Sequence, residues 1–510
     1  MYKNILDLFH KTVEEKADKV AVIHNNANIT FGDLDKKSRY LAKCLLQLQK
    51  NEGPVPMAVF LPKSIDVVIA DIAVTYSGNF FSNLDIKTPA ERIRSILEVM
   101  KPEVLITDEK GKTFLDSVAS AEVPILLVDK LDWEQNYSND DVLSQIYTKK
   151  IDTDPLCIIN TSGSTGTPKG VLLTHRGFID YVSWAINTFG FDGSEIMGVM
   201  SAIVFDHYVY ETCLMMARGS TMVLLDMMLA SFPARLLEEV KNKEVNYIFW
   251  VPTVMVNVAN RGLLEKIKLD KLRMVWFAGE VFPTKQFNMW KKCYPEVMFV
   301  NLYGPCEITV DCTYHILEEE ISEEESLPIG IPCNNVDVFL LNENDEVCLT
   351  GEVGELCIRG TSLAMGYYNN PEKTMAAFVQ NPLNKSYPEL IYRTGDMAFK
   401  NEKGVYIFKG RRDSLIKHMG NRVEMGEIEH ILVNKLALVG NCCVTYDFCK
   451  KEIVLFYEKT ESLSEVDIRK ALAGEFPRYM IPTRYIEMEE LPRNTNGEID
   501  RNLLKQQLGS

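Results

Sequence analysis

The stretch from Ile159 to Gly170 reads Ile-Asn-Thr-Ser-Gly-Ser-Thr-Gly-Thr-Pro-Lys-Gly and follows directly on the apolar run Leu156-Cys157-Ile158. An apolar strand ends there in a loop made almost wholly of glycines and hydroxyls with one cation, which is chemistry for holding a polyphosphate. Glycines let the backbone approach an anion closely and turn its N–H groups toward it. Ser162, Ser164, Thr165 and Thr167 add donors, and Lys169 adds charge. A solvated Gly/Ser turn is the plainer alternative, but such a density of donors straight after a strand favours a polyphosphate. The spacing differs from the common nucleotide loop, Gly-x-x-x-x-Gly-Lys-Ser/Thr, because Pro168 precedes Lys169 and Gly170 follows it.

Around this loop, short β-rich runs at Val20 to Ile23, Ala58 to Leu61 and Val104 to Thr107 are separated by helix-length stretches such as Phe31 to Gln49 and Ser64 to Tyr76. That alternation predicts parallel sheets with crossover helices, hence an α/β fold. The rhythm returns at Met222 to Leu225, Tyr247 to Trp250, Met274 to Phe277 and Met298 to Val300. A chain of 510 residues exceeds what one core usually supports, so two sheet subdomains are expected rather than one very large sheet. From about Asp337 the pattern changes to short strands with tight turns, Val338 to Leu341 and Gly354 to Ile358, which predicts a β-rich subdomain. After Gly410 a compact tail combines helical patterns (Glu424 to Lys435, Ser464 to Glu475) with strand-like ones (Val439 to Thr445, Ile453 to Tyr457). The acidic run Glu318 to Glu325 reads as a solvated loop.

The net charge of −16 argues against a nucleic-acid or anionic-membrane partner, since those need clustered Lys and Arg. The uncharged run Val245 to Asn260 is interrupted by Pro252 and Asn257 and is too short to span a bilayer. Lys3, Asp7, His10, Lys11 and Glu14 stand where a signal peptide would be apolar. A soluble cytoplasmic protein without membrane insertion is expected. The 12 cysteines form no Cys-x-x-Cys pair, so they read as small buried residues in a reducing compartment, not as a zinc site or disulfide frame.

Thr161 to Gly170 resembles the phosphate loop of the adenylate-forming superfamily, which includes acyl-CoA synthetases, luciferases and the adenylation domains of nonribosomal peptide synthetases. Other motifs of that family recur in order: Asn301-Leu302-Tyr303-Gly304-Pro305-Cys306-Glu307, Gly354 to Gly360, Tyr392-Arg393-Thr394-Gly395-Asp396, Gly410 to Asp413 with Gly420 to Glu429, Phe476 to Pro482, and Asn496 to Arg501. The likeness spans essentially the whole chain and is nearest to stand-alone amino-acid adenylation domains and D-alanine:carrier-protein ligases. It implies a large N-terminal domain, residues 1–412, of two α/β sheet subdomains plus a β-rich subdomain. A small mobile C-terminal α+β lid domain, residues 413–510, would hinge near Asp413.

By the same resemblance, the chain is a ligase that joins a carboxylate to the α-phosphate of ATP and expels pyrophosphate, a reaction that needs charge spread over several donors and cations. Thr161, Ser162, Thr165 and Lys169 would hold the β and γ phosphates, within a loop that also includes Gly163, Ser164 and Gly166. Glu307 would bind Mg²⁺, a hard cation suited to carboxylate and phosphate oxygens. Tyr303 would stack on adenine beside Asn301, Gly304 and Cys306 of its motif; Asp396 would accept from the ribose hydroxyls, with Arg411 close to the same sugar. In a second step the tail rotates and a phosphopantetheine thiol attacks the adenylate, with Lys417 to Gly420 lining the thiol tunnel. No carrier signature with a modifiable serine follows Arg501, so a separate carrier protein is the expected partner.

Asp206, in Phe205-Asp206-His207-Tyr208, points to the substrate class. In the amino-acid-activating branch an Asp here pairs with the substrate's α-ammonium, and a carboxylate in so apolar a run is costly to bury without a cationic partner. A structural Asp or helix cap is the plainer alternative. Counting from the motifs, His207, Tyr210, Phe249, Trp276, Ala278, Leu302, Val310 and Asp311 would line the side-chain pocket. Four bulky rings leave room for a small or flat side chain; Asp311 could accept a polar or cationic end, or pair with His207. Two residues depart from the pattern. Glu498 stands where the family has its catalytic lysine, and Cys306 replaces a threonine. Losing one such charge-stabilising contact costs ~3 kcal/mol, or ~10² to 10³ in rate. Three functions are therefore carried forward: amino-acid adenylation with transfer to a carrier, an acyl- or aryl-CoA ligase, and an impaired adenylation domain that binds ATP and amino acid. Another base such as Arg493 could rescue the step.

Overall fold

The computed structural model describes the chain except residues 1, 89, 134–140, 162–168, 412–414, 419–420, 448–449, 451, 459–462, 477, 495–496 and 509–510. Two large sheets dominate it. One has six described strands in the order Ile125–Leu127, Val104–Thr107, Pro56–Phe60, Phe80–Asn83, Pro155–Thr161, Lys169–Thr174, all parallel except the last pair. The other has nine, running from Ile331–Pro332 through Thr313–Leu317, Met298–Tyr303, Met274–Phe277, Tyr247–Trp250, Ile196–Val199, Thr221–Leu224 and Val20–His24 to Ala27–Thr30. Its six central strands are parallel, as the alternating sequence pattern predicts, and antiparallel strands flank them on both sides.

Side-chain parity explains how the sheets stack. Tyr247 and Phe249 belong to a core shared with Met57 and Val59 of the six-stranded sheet and with helices Phe31–Leu48, Ile65–Tyr76, His175–Phe189 and Asp206–Arg218. Their neighbours Ile248 and Trp250 belong to a second core under helices Pro233–Asn242, Pro252–Asn260 and Thr284–Cys293. Successive residues of a strand face opposite sides, so this alternation marks a sheet covered on both faces. The shared layer is deeply buried: helix Ile65–Tyr76 is buried from Val67 to Tyr76, and helix Asp206–Arg218 from Tyr208 to Met216.

Local chemistry fixes the ends of these helices. Thr30 caps the first of the shared helices by accepting from the Asp33 N–H, and Thr174 accepts from the Gly177 N–H. Gly190 and Gly219 close the last two at φ 72° and 73°, in the left-handed region where glycine carries no Cβ penalty.

The predicted β-rich part is a five-stranded antiparallel sheet of Val336–Leu341, Gly354–Gly360, Leu390–Lys400, Phe378–Gln380 and Tyr406–Arg411. Beyond it lies a small α+β unit: a hairpin of Leu415–His418 and Asn421–Glu424, a sheet of Cys442–Asp447, Glu452–Glu458 and Arg484–Met488, and helices including Met425–His430 and Glu465–Ala473. The helix expected at Glu424 to Lys435 changes character after His430, where Ile431–Lys435 is a π-helical turn closed by Leu436 N–H to the Ile431 carbonyl at 2.8 Å. The strand expected from Val439 begins at Cys442, because Ala437 takes φ 48° and turns the chain first. No described helix is long and apolar enough to cross a membrane.

Candidate active site

Three adjacent parallel strands build one wall of the candidate substrate site. Their register sets Phe249 beside Trp276 and Trp276 beside Val300, so Phe249 and Trp276 share the face turned toward the layer between the sheets. Two residues further along, Ala278 and Leu302 are buried in the same core. Helix Asp206–Arg218 supplies the opposite wall. His207 meets Phe249 edge-on with ring centroids 4.5 Å apart, and Tyr210 stacks on Trp276 at 5.7 Å and 5°. Tyr210 also meets Phe249 at 6.0 Å. The rings expected to line a pocket therefore lie directly against one another, which leaves little room between them.

The third side is a strained turn. After strand Met298–Tyr303 the chain forms a 3₁₀ turn at Cys306–Ile308 and then places Thr309 and Val310 at φ 57° and 68°. Both are β-branched, and left-handed backbone costs such residues about 1–3 kcal/mol each. Three bonds hold them there: Thr309 Oγ1 to the Ser362 carbonyl at 2.8 Å, Val310 N–H to Asp206 Oδ2 at 3.2 Å, and Cys312 N–H to the Tyr303 carbonyl at 2.8 Å. Gly304 permits the fold-back, since a Cβ there would lie 2.3 Å from Asp311 Cα and 2.4 Å from the Val310 carbonyl oxygen.

Asp206 and Asp311 are thereby brought to one place by different means. Asp206 is the first residue of its helix; Oδ1 accepts from the His207 N–H at 2.9 Å and Oδ2 from Val310. Backbone donors at a helix N-terminus thus stabilise this buried carboxylate, and its burial does not by itself demand a cation, contrary to the sequence argument. The Cys306 thiol lies against the same carboxylate, and burial, with the charges of Asp206 and Glu307, pushes that thiol up. Asp311 is 1% exposed, and its Oδ2 accepts from the Tyr181 hydroxyl at 2.7 Å. Its partner is Tyr181 and not His207, whose ring packs on Phe249. Burial holds the Asp311 carboxyl well above the usual range, the Tyr181 hydrogen bond opposes that, and Asp206 adds to it. Burial also lowers His207.

The residues expected to hold the nucleotide gather on the flank of this turn nearer the five-stranded sheet. Thr161 and Lys169 face each other across the two antiparallel strands that flank residues 162–168, and Ser162, Gly163, Ser164, Thr165 and Gly166 lie outside the described residues. Lys169 Nζ sits 4.9 Å above the Tyr367 ring, and the Tyr367 hydroxyl donates to Glu307 Oε1 at 2.6 Å. The lysine expected at the phosphates and the carboxylate expected at Mg²⁺ are thus joined through one tyrosine. Tyr303 Oη donates to Asp396 Oδ2 at 2.5 Å, and Arg411 Nη1 to Asp396 Oδ1 at 2.9 Å. Asn301 instead uses its amide on the Pro328 carbonyl at 2.7 Å. Carboxylate, aromatic ring, guanidinium and ammonium are side chains of the kinds that ATP with a divalent cation would use.

Glu498 stands in the C-terminal unit, with Glu280 the group of the large unit on which its charge acts. Its carboxylate accepts from Asn494 Nδ2 at 2.9 Å, and burial already raises Glu280. Arg493 donates to the Gly497 carbonyl at 2.8 Å and reaches Thr253 Oγ1 at 3.5 Å; Thr253 in turn donates to Glu280. Asp413 lies outside the described residues, and Lys417 is placed only as part of the strand Leu415–His418. Tyr181 and Tyr367 escaped the sequence reading. Neither stands in a motif quoted for the family, though Tyr367 follows Gly366 in a Gly-Tyr-Tyr turn that a search for ring-bearing loops would have flagged.

With the geometry in hand, comparisons with known proteins are specific. The profile of the AMP-binding enzyme family matches residues 9–368. Tyrocidine synthase 1 of Brevibacillus parabrevis is 28% identical over 98% of this chain, which spans 45% of that protein's length. Zwittermicin A synthase ZmaJ of Bacillus cereus is 28% identical over 98% of this chain and 94% of its own. An anthranilate CoA ligase in complex with anthranoyl-AMP superposes with a TM-score of 0.85 at 20% identity over 99% of this chain and 97% of its own, a likeness of fold. Matched over more than half its length by that profile, the chain belongs to the AMP-binding, adenylate-forming family of ligases.

Proposed function

We propose that the protein activates an amino acid as its adenylate and passes it to the phosphopantetheine thiol of a carrier protein. In the first step a substrate carboxylate oxygen bonds to the α-phosphorus of ATP as the bond to pyrophosphate breaks. In the second, a thiolate attacks the acyl carbon and AMP leaves. Residues 1–412 would carry the nucleotide and amino-acid sites, and residues 413–510 would act as the lid. Lys169 and Glu307 would hold the phosphates and Mg²⁺, Tyr303 and Asp396 the nucleoside.

The observation that carries this reading is Asp206: a buried carboxylate at the junction of the ring-lined pocket and the 303–311 turn, where it can receive an α-ammonium. The relatedness to peptide synthetases supports it. The test is exchange of pyrophosphate into ATP across a panel of L- and D-amino acids. Exchange driven by one or a few amino acids is expected; exchange driven instead by acids without an amine, with transfer to coenzyme A, would favour an acyl- or aryl-CoA ligase.

One observation favours a second reading, an adenylation domain slow in its first step. Glu498 puts an acid beside Glu280 where the family has a lysine, with Arg493 the cation at hand. Glu498→Lys then raises the exchange rate by ~10² to 10³. An unchanged rate would show that this acid does not limit the step.

A further inference from the structure

Asp311 and Tyr181 form a pair that the proposed reaction leaves without a task. Asp311 Oδ2 is fixed by the Tyr181 hydroxyl at 2.7 Å, while Oδ1, equally buried, has no hydrogen-bond partner among the described residues. A buried polar atom left unpaired costs free energy that a ligand group can recover. Tyr181 comes from helix His175–Phe189, and its ring meets Tyr210 edge-on at 5.0 Å. It therefore stands behind the ring wall formed by Tyr210, Trp276 and Phe249. Asp311 directly follows Val310, whose N–H is held by Asp206, so the two carboxylates flank a single turn, and the Asp206 charge acts on Asp311.

We propose, on the amino-acid reading, that Tyr181 is a positioning residue which aims Asp311 Oδ1 at the substrate's side chain, and that the site selects a short side chain ending in a hydrogen-bond donor, a hydroxyl or an ammonium. The α-ammonium occupies Asp206. A short side chain then brings its terminal donor to Asp311, and the packed rings exclude longer or branched groups. A side chain without a donor leaves Oδ1 unpaired, and that penalty is the source of selection.

Titration calorimetry on the full chain with AMP present tests this directly, without requiring turnover. The probes are serine, 2,3-diaminopropionate, alanine and leucine. Serine or diaminopropionate is expected to bind about 10- to 100-fold more tightly than alanine, with leucine weakest, and the order of the first two separates hydroxyl from ammonium. Tyr181→Phe should shrink the donor-over-alanine preference about tenfold while alanine binding stays as it was; a role confined to packing would weaken all ligands alike. Equal binding of alanine and serine overturns the inference and leaves amino-acid activation standing. Binding of none of them, with AMP still bound, overturns both.

Discussion

The proposed nucleotide site and the proposed side-chain site handle a buried carboxylate in opposite ways. Asp396 has both oxygens engaged, one by Tyr303 and one by Arg411, so its charge is neutralised before any ligand arrives. Asp311 has one oxygen engaged by a neutral hydroxyl and the other without a partner among the described residues, and burial raises its pKa. On the proposed function the first arrangement serves a nucleotide common to the whole family and can be preorganised. The second is completed only by the right substrate, and so it discriminates.

The largest effect should come from joining the two regions in one failure. Gly304 lies between Tyr303 and the 309–311 turn, and a Cβ would strike backbone on its far side. Gly304→Ala should displace both Tyr303 and Asp311, abolish binding of AMP and amino acid together, and destabilise the fold by about 1–3 kcal/mol as overpacking. Calorimetry and denaturant unfolding check this; loss of one ligand alone would mean that the two regions are not held by a common turn.

A smaller effect separates them. Asp396→Asn keeps the shape but removes the charge that Arg411 and Tyr303 bind, so ATP should bind about 10- to 100-fold more weakly, the worth of a hydrogen bond to a charged group. The preference among amino acids should stay as it was. A shift in that preference would show that the two regions are coupled.

The smallest effect is on stability alone and concerns the helix that carries Tyr181. His175 opens it, buried, with Nδ1 accepting from the Ile5 N–H at 3.3 Å, and burial lowers its pKa to about 3. The unfolded chain therefore binds a proton between about pH 6.5 and 3 that the folded chain does not. Stability from this group is complete above pH 6.5 and falls by about 1.4 kcal/mol per pH unit below it. His175→Gln keeps an acceptor without that titration, so parent and variant should converge in stability as pH drops from 7 to 5. Parallel curves would contradict the assignment.

What could be read in the sequence divides along the same line. The strands were legible because both large sheets are covered on both faces, which makes apolar runs such as Tyr247–Trp250 and Val104–Thr107 stand out with their full bounds. The residues proposed for the nucleotide stand out in the sequence because each lies in a contiguous stretch of turn and charge. The pocket rings were found by counting from those stretches, and strand register brings them together as expected. Tyr181 was not legible: it sits mid-helix among Phe178, Val182 and Ala185, and nothing in that amphipathic pattern separates a ring that packs from one that also donates to a carboxylate across the fold. Nor did the sequence reveal that backbone N–H groups already accommodate Asp206, because Val310 reaches it only through a left-handed turn at two β-branched residues.

Asp206 carries the central claim, and the most direct test pairs each amino acid with the same acid lacking its amine. Pyrophosphate exchange would be measured with both, on the parent chain and on Asp206→Ala. If Asp206 receives an α-ammonium, the parent uses only the amine-bearing member of each pair, and the variant loses ~10² or more in kcat/KM for it while still binding ATP. If the parent turns over the deaminated acids equally well, or the variant keeps its preference for the amine, Asp206 is a structural residue at a helix start and the amino-acid reading is wrong.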